Sequence, residues 1–189
     1  MSDFVLHTEQ TAAPAGAEAL GRAKAAFGFA PNLIRVLADA PAAAHGYLDV
    51  GGRFGASSLS PIEQQTVLIA TSVANGCEYC VAAHSAGATR AGIGPADLEA
   101  LRGGNEVPTA RLAALAAFTR EVVWERGRVA PATLEAFLQA GYTRANVLEV
   151  VLGVAMKTLS NYTNHVAETP LDAAFAAFEW TSAADAVAK

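Results

Sequence analysis

Both cysteines of the chain fall within Asn75-Gly76-Cys77-Glu78-Tyr79-Cys80-Val81-Ala82-Ala83-His84. Placed on a helix, Cys77, Cys80 and His84 stand at i, i+3 and i+7, so two thiols and an imidazole stack along one face. Thiols one turn apart can close a disulfide and release it, and a base one turn further can accept the proton. The spacing predicts a redox site. A thiolate, not a thiol, is the attacking species, so one sulfur must lose its proton near neutral pH. Cys77 lies nearest the predicted helix start, where the backbone dipole favours an anion. Cys80 lies one turn from His84 and so is closer to the base. These two arguments point to different sulfurs.

Other chemistry is open to the same residues. A Cys-x-x-Cys pair supplies half of a tetrahedral zinc site, with His84 as a third ligand and His45 or His165 as a fourth. Such pairs usually sit on turns, however, and the chain has no second pair. Inert core thiols are a third reading. Glu63 is accounted for by a helix cap, Gln65 by a hydrogen bond to His84 or by polar packing, and His165 by a ligand pocket or by packing. Tyr79 and Glu78 read as packing and surface residues.

The rest of the chain must position this motif, and its pattern is helical almost throughout. Ala17 to Phe27 is amphipathic and closed by Gly28, Pro31 opens a second helix, and Pro41 restarts the chain toward Tyr47 and Phe54. Ser60-Pro61-Ile62-Glu63 is a capping box that starts a helix ending near Asn75-Gly76. The cysteine helix runs to about Ala91-Gly92, Pro95 to Leu101 is short, and Pro108 releases a long helix. Pro131, Thr143 and Pro170 begin the remaining three. No segment alternates with period two over strand length, so the fold class expected is all-α.

Composition narrows the setting. The chain has 189 residues, is 52% apolar and carries a net charge of -5 with its 13 basic residues scattered, which argues against nucleic acid as a partner. One core, in a single domain over 1–189 or in two fused halves, is expected. No apolar run approaches the ~20 residues of a membrane span, and Met1-Ser2-Asp3 does not read as a leader. A cytoplasmic location follows as an expectation, and there a close dithiol reads as catalytic, sensing or metal-binding rather than as a structural staple.

Laying Leu59 on Tyr142 brings out a weak internal repeat. Ser60 then matches Thr143 as a hydroxyl N-cap, and Cys77-Glu78-Tyr79-Cys80 falls on Ser160-Asn161-Tyr162-Thr163. A pair of helical hairpins, one active over 60–92 and one silent over 142–167, would give this pattern, as would chance between amphipathic helices.

Cys77-x-x-Cys80-x-x-x-His84 in an alanine-rich helix resembles the core of the alkylhydroperoxidase D family, within the carboxymuconolactone decarboxylase-like superfamily. Phe27-Gly28-Phe29-Ala30-Pro31-Asn32-Leu33 and Asn161-Tyr162-Thr163-Asn164-His165 resemble segments of its peroxidase-related branch. The resemblance implies a hydroperoxide substrate, no cofactor or metal, and Cys80 activated through His84 with Cys77 more exposed and resolving. It also implies a lipoyl-type or thioredoxin-like dithiol reductant and a trimer, or a hexamer built from trimers. The decarboxylase branch generally lacks the cysteine pair, which counts against lyase chemistry. A non-redox ligand-binding protein of the same fold remains the alternative, zinc-stabilised or not. Two positions depart from the family: Tyr79 stands where a histidine precedes the second cysteine, and Gln65 where a relay glutamate belongs. An amide cannot take a proton at neutral pH.

Overall fold

A computed structural model describes residues 3–182; Met1 and Ser2, part of the segment read as lacking a leader, lie outside the described residues. Those residues form helices without strands, as expected. In chain order these are α1 Pro14–Phe27, α2 Asn32–Leu37, α3 Pro41–Gly55, α4 Pro61–Ala74, α5 Glu78–Ala91, α6 Pro95–Arg102, α7 Ala110–Trp124, α8 Pro131–Gln139 and α9 Arg144–Ala167, followed by a 3-10 helix over Ala173–Phe178. None of the described helices is long and apolar enough to cross a membrane.

Helix α4 is the centre. Its middle residues Thr66 to Ser72 are all buried, and it packs against α5, α7 and α9. A helix with no solvated face needs partners on every side, and its hydroxyls need acceptors. Thr66, Thr71 and Ser72 find them in the carbonyls one turn back, at 2.7–2.9 Å. The start is fixed by the expected capping box, in which Glu63 N–H donates to Ser60 Oγ at 3.3 Å and Ser60 N–H to Glu63 Oε2 at 2.8 Å. Its end is fixed by Gly76, whose φ of +67° turns the chain so that Cys77 becomes the N-cap of α5.

The apolar side chains form three connected clusters. One joins Leu20, Leu33, Ile34 and Tyr47 to Cys77, Tyr79 and Cys80. A second holds Phe118, Phe137 and Tyr142, whose rings stack at 4.3 and 4.4 Å between centroids, beside Phe54, Val67 and Val150. The third seats α6 and α7 against α4 and α5 through Ile69, Leu101 and Leu112. Each such ring or branched chain contributes about 1.5–3 kcal/mol by leaving water.

The second half departs from the expected hairpin. Thr143 does cap α9 with a box of its own, closed by Asn146 at 2.8–3.2 Å. Yet α9 then runs unbroken for 24 residues through Ser160, because no residue like Gly76 interrupts it there. Its approach to the core is close at Gly153, where an added Cβ would stand 2.7 Å from the Phe54 ring and 2.8 Å from Val67 Cγ1. The bare backbone at this point brings the next turn, Lys157, into the molecule.

Candidate active site

Cys77 and Cys80 are both free thiols and both buried, each 1% exposed. The expectation that Cys77 is the more exposed therefore fails. Residues 171–182 explain this: Leu171, Phe175 and Phe178 pack on the cluster that holds the sulfurs, and Ser182 N–H donates to Glu78 Oε1 at 3.1 Å. This C-terminal strap is tied down by Arg102, which donates to the carbonyls of Phe178 and Glu179 at 2.9 Å, and by Trp180 Nε1–H to Arg102 O at 2.9 Å. Tyr79 belongs to the same fastening. Its hydroxyl donates to Asp172 and accepts Leu33 N–H at 3.3 Å. Burial, then the Asp172 carboxylate, push its pKa up, so it is a neutral packing residue as expected.

The sulfurs face α9. Asn164 Nδ2 stands 3.2 Å from Cys80 Sγ and 3.8 Å from Cys77 Sγ, with Ser160 Oγ 3.9 Å from Cys80. Above them lies Lys157, fully buried, its Nζ 2.9 Å from His84 Nε2 and its charge set against the Cys80 sulfur. The other face of the His84 ring meets Gln65, Nδ1 to Oε1 at 3.1 Å. An ammonium has only donors, so Nε2 must accept and the Nδ1–H must donate to the Gln65 carbonyl. No hydrogen bond joins His84 to either sulfur among the described residues. On the side of the sulfurs the ring's contact is with Lys157.

Electrostatics choose between the sulfurs. Burial alone would raise the Cys80 thiol, but the hydrogen bond from Cys77 and the Lys157 ammonium outweigh it and hold Cys80 well below the usual range. Cys77 moves the other way: donating its proton to Cys80 keeps it a thiol, and burial and the neighbouring negative charge add to this. Burial opposes the Lys157 charge, yet the Cys80 anion, with Tyr47 behind it, more than offsets that and raises its pKa. Cys80 is the third residue of α5, within the turn where the dipole favours an anion, and it also faces the cation.

His84 is held neutral, by burial first and by Lys157 second, with its pKa well below 6.5. The unfolded chain takes a proton on this ring as pH falls through about 6.5 and the folded chain does not. Stability should therefore decline below that pH, with a slope from this ring of up to about 1.4 kcal/mol per pH unit. Urea midpoints between pH 7 and 5 should fall more steeply for the native chain than for His84→Asn. Equal slopes would remove His84 as the source.

The remaining sequence candidates lie elsewhere. Glu63 is taken up by its cap and by Arg111 Nε at 2.8 Å, in keeping with the cap reading. His45 Nε2 meets Ala15 O at 3.0 Å, and His165 is exposed on α9. Neither approaches the cysteines as a zinc ligand would, and no group of three or more His, Cys, Asp or Glu among the described residues is placed to hold a metal ion. Sequence reasoning missed Lys157, Asn164 and Tyr47. The signal for the first two was their place on the buried stripe of α9, with Gly153 and Ser160 at spacings of three and four.

A cavity of about 440 Å³ leads to Cys80, His84 and Lys157 between walls that include Phe27, Phe29, Leu33, Ile34, Tyr47 and Phe175. Residues 41–121, from α3 into α7, match the carboxymuconolactone decarboxylase family, and this segment contains both cysteines, His84 and Gln65. The match to that family covers less than half of the chain, and it is the part that carries the cysteine motif. An alkylhydroperoxidase D core protein from Ralstonia eutropha JMP134, peroxidase-related and uncharacterized, superposes with a TM-score of 0.80 at 22% identity, over 92% of this chain and 94% of that one. A peroxidase-related protein from Silicibacter sp. TM1040 gives 0.76 at 16% identity, over 92% of each chain. A cysteine-to-alanine variant of the debrominase Bmp8, in complex with 2,3,4-tribromopyrrole, gives 0.72 at 18%, over 85% of this chain and 87% of that one. No curated protein matches the chain. The alkylhydroperoxidase D-like fold expected from the cysteine motif is thus the fold of this chain, and at these identities the structural likeness is one of fold.

Proposed function

We propose that the protein is a cysteine peroxidase that reduces hydroperoxides through a Cys77–Cys80 dithiol/disulfide cycle. The observation that carries this reading is the pairing of a buried ammonium, Lys157, with the low-pKa thiol of Cys80 beside a second thiol. A buried cation demands a buried anion, and the sulfur is the anion nearest to hand.

The Cys80 thiolate attacks the terminal oxygen of a hydroperoxide, and the O–O bond breaks. The leaving alkoxide takes a proton from Lys157 and departs as an alcohol, leaving a sulfenic acid on Cys80. The Cys77 thiol then attacks that sulfur; the S–S bond forms and hydroxide leaves with the Cys77 proton as water. A second dithiol, of lipoyl or thioredoxin-like type, reduces the disulfide by exchange, and its two protons restore the Cys77 thiol and the Lys157 ammonium while Cys80 returns as the thiolate. Gln65 and His84 are positioning residues in this scheme, with Gln65 fixing the ring and the ring fixing Lys157. The neutral amide at the relay position fits a site whose charge comes from Lys157. A reducing cytoplasm would supply the dithiol.

The direct test is a reductant-coupled assay with hydrogen peroxide and tert-butyl hydroperoxide. Thiol loss without dithiol-dependent turnover would overturn the reading. One observation favours a second substrate type for the same dithiol: five aromatic rings, Phe27, Phe29, Tyr47, Tyr79 and Phe175, wall the cavity and would suit a halogenated aromatic such as the one bound to the debrominase. Bromide release from tribromopyrrole, matched by disulfide formation, would identify that activity.

The same reading includes a homo-oligomer, a trimer or a hexamer built from trimers. Helix α7 turns its apolar face inward, but α9 leaves Leu148, Val151, Tyr162 and Val166 46–71% exposed along its outer side. A stripe of this kind is commonly covered by a second copy. Sedimentation at micromolar concentration should give a species larger than the monomer, shifted toward monomer by Leu148→Glu. A native chain sedimenting as monomer would refute the assembly.

A further inference from the structure

We infer that the cavity takes hydroperoxides that carry a carboxylate, with Arg90 as the anchor for that group; this rests on the peroxidase reading above. The cavity is far larger than hydrogen peroxide requires, and its apolar walls are wasted on so small and polar a molecule. Its charged lining is more telling. In a chain with a net charge of -5, the charged residues that line this cavity are Arg90 and Lys157, with no aspartate or glutamate among them. Lys157 is matched by the Cys80 thiolate. Arg90 has no hydrogen bond or ion pair from its guanidinium to any described residue.

The contrast with a neighbouring cavity of about 360 Å³ sharpens the assignment. That space shares Phe27, Tyr47, Gln65 and His84 with the first, but its arginine, Arg22, is already held by Asp49 and His45 at 2.5 and 2.8 Å. Of these two cavities, the first combines the reactive sulfur with an arginine that no described residue holds.

Spacing gives the substrate its shape. Cys80, Ala83, Gly87 and Arg90 line the cavity from one stripe of α5, so the backbone positions that carry the sulfur and the guanidinium are ten residues, or about 15 Å of helix rise, apart. A hydroperoxide lodged at Cys80 with its carboxylate at Arg90 needs an extended apolar body between the two groups. Fatty-acid hydroperoxides have that form. Arginine offers the carboxylate a paired set of donors, and an exposed mouth makes this contact sensitive to salt. The chemistry at Cys80 is unchanged: the thiolate takes the terminal oxygen, and the hydroxy acid leaves with a proton from Lys157.

Titration calorimetry of the reduced protein with decanoate and with neutral decanamide tests the anchor without any turnover. Decanoate should bind about tenfold more tightly. The gap should close in Arg90→Gln, return in part in Arg90→Lys, and narrow as ionic strength rises. Equal binding of the two ligands, no binding of either, or a gap that persists in Arg90→Gln would overturn the inference. Kinetics then separate it from the reading beneath it. If tert-butyl hydroperoxide is turned over while linoleic acid hydroperoxide and its methyl ester have equal kcat/KM, the anchor fails and the peroxidase stands. If decanoate selectivity holds but no hydroperoxide is turned over, the peroxidase fails and the anion site stands.

Discussion

Cys80→Ser should abolish hydroperoxide turnover, and Cys77→Ser should consume one equivalent and stop. The asymmetry follows from the opposed proton affinities of the two thiols, since Cys77 donates to Cys80 and Lys157 faces Cys80. A serine hydroxyl at position 80 cannot ionise near neutral pH and gives no sulfenic acid. In the Cys77→Ser chain the oxidised sulfur has no second thiol with which to condense, so it should persist. Mass spectrometry after one equivalent of peroxide should place a single oxygen on Cys80. Oxidation of Cys77 in the Cys80→Ser chain, with Cys80 unmodified in the Cys77→Ser chain, would reverse the roles.

Lys157→Met should slow peroxide reduction at pH 7 by roughly a hundredfold or more, because both the thiolate and the proton for the leaving alkoxide depend on the ammonium. The pH profile distinguishes this from damage to the fold. In the native chain the Cys80 pKa is depressed, so the second-order rate should already be at its plateau near neutrality. Without the cation, burial raises the thiol, and the variant's rate should climb as pH rises past about 8.5. Methionine fills the space with apolar atoms and leaves no unpaired charge, so the melting temperature should hold. A variant with an unchanged pH profile would show that Lys157 does not set the state of Cys80.

Much of this could be read from the sequence, for physical reasons that differ by residue. The helix starts at Pro61, Pro95 and Pro131, the box at Ser60 and the N-cap at Thr143 were legible because capping is local, needing only residues three or four apart. The cysteine pair was legible for the same reason. Lys157 was not. It lies 77 positions from Cys80, and its place opposite the sulfur depends on the close approach of α9 at Gly153, a contact between helices distant in sequence. The burial of Cys77 was hidden likewise, since it comes from residues 171–182 folding back over the start of α5. The second hairpin failed because hydroxyls that match the thiols in alignment carry no instruction to break a helix.

The ion pair between Lys157 and Cys80 also sets the balance between the oxidised and reduced chains. It exists only while Cys80 is a thiolate; in the disulfide Lys157, having given its proton to the leaving alkoxide, stays buried as a neutral amine, and reduction restores the pair. Whatever stabilises the dithiol relative to the disulfide makes the couple more oxidising, by about 30 mV for each 1.4 kcal/mol. The native protein is thus built to surrender its disulfide readily to a dithiol, and Lys157→Met should make the same bond harder to reduce, shifting its midpoint potential downward against a glutathione buffer.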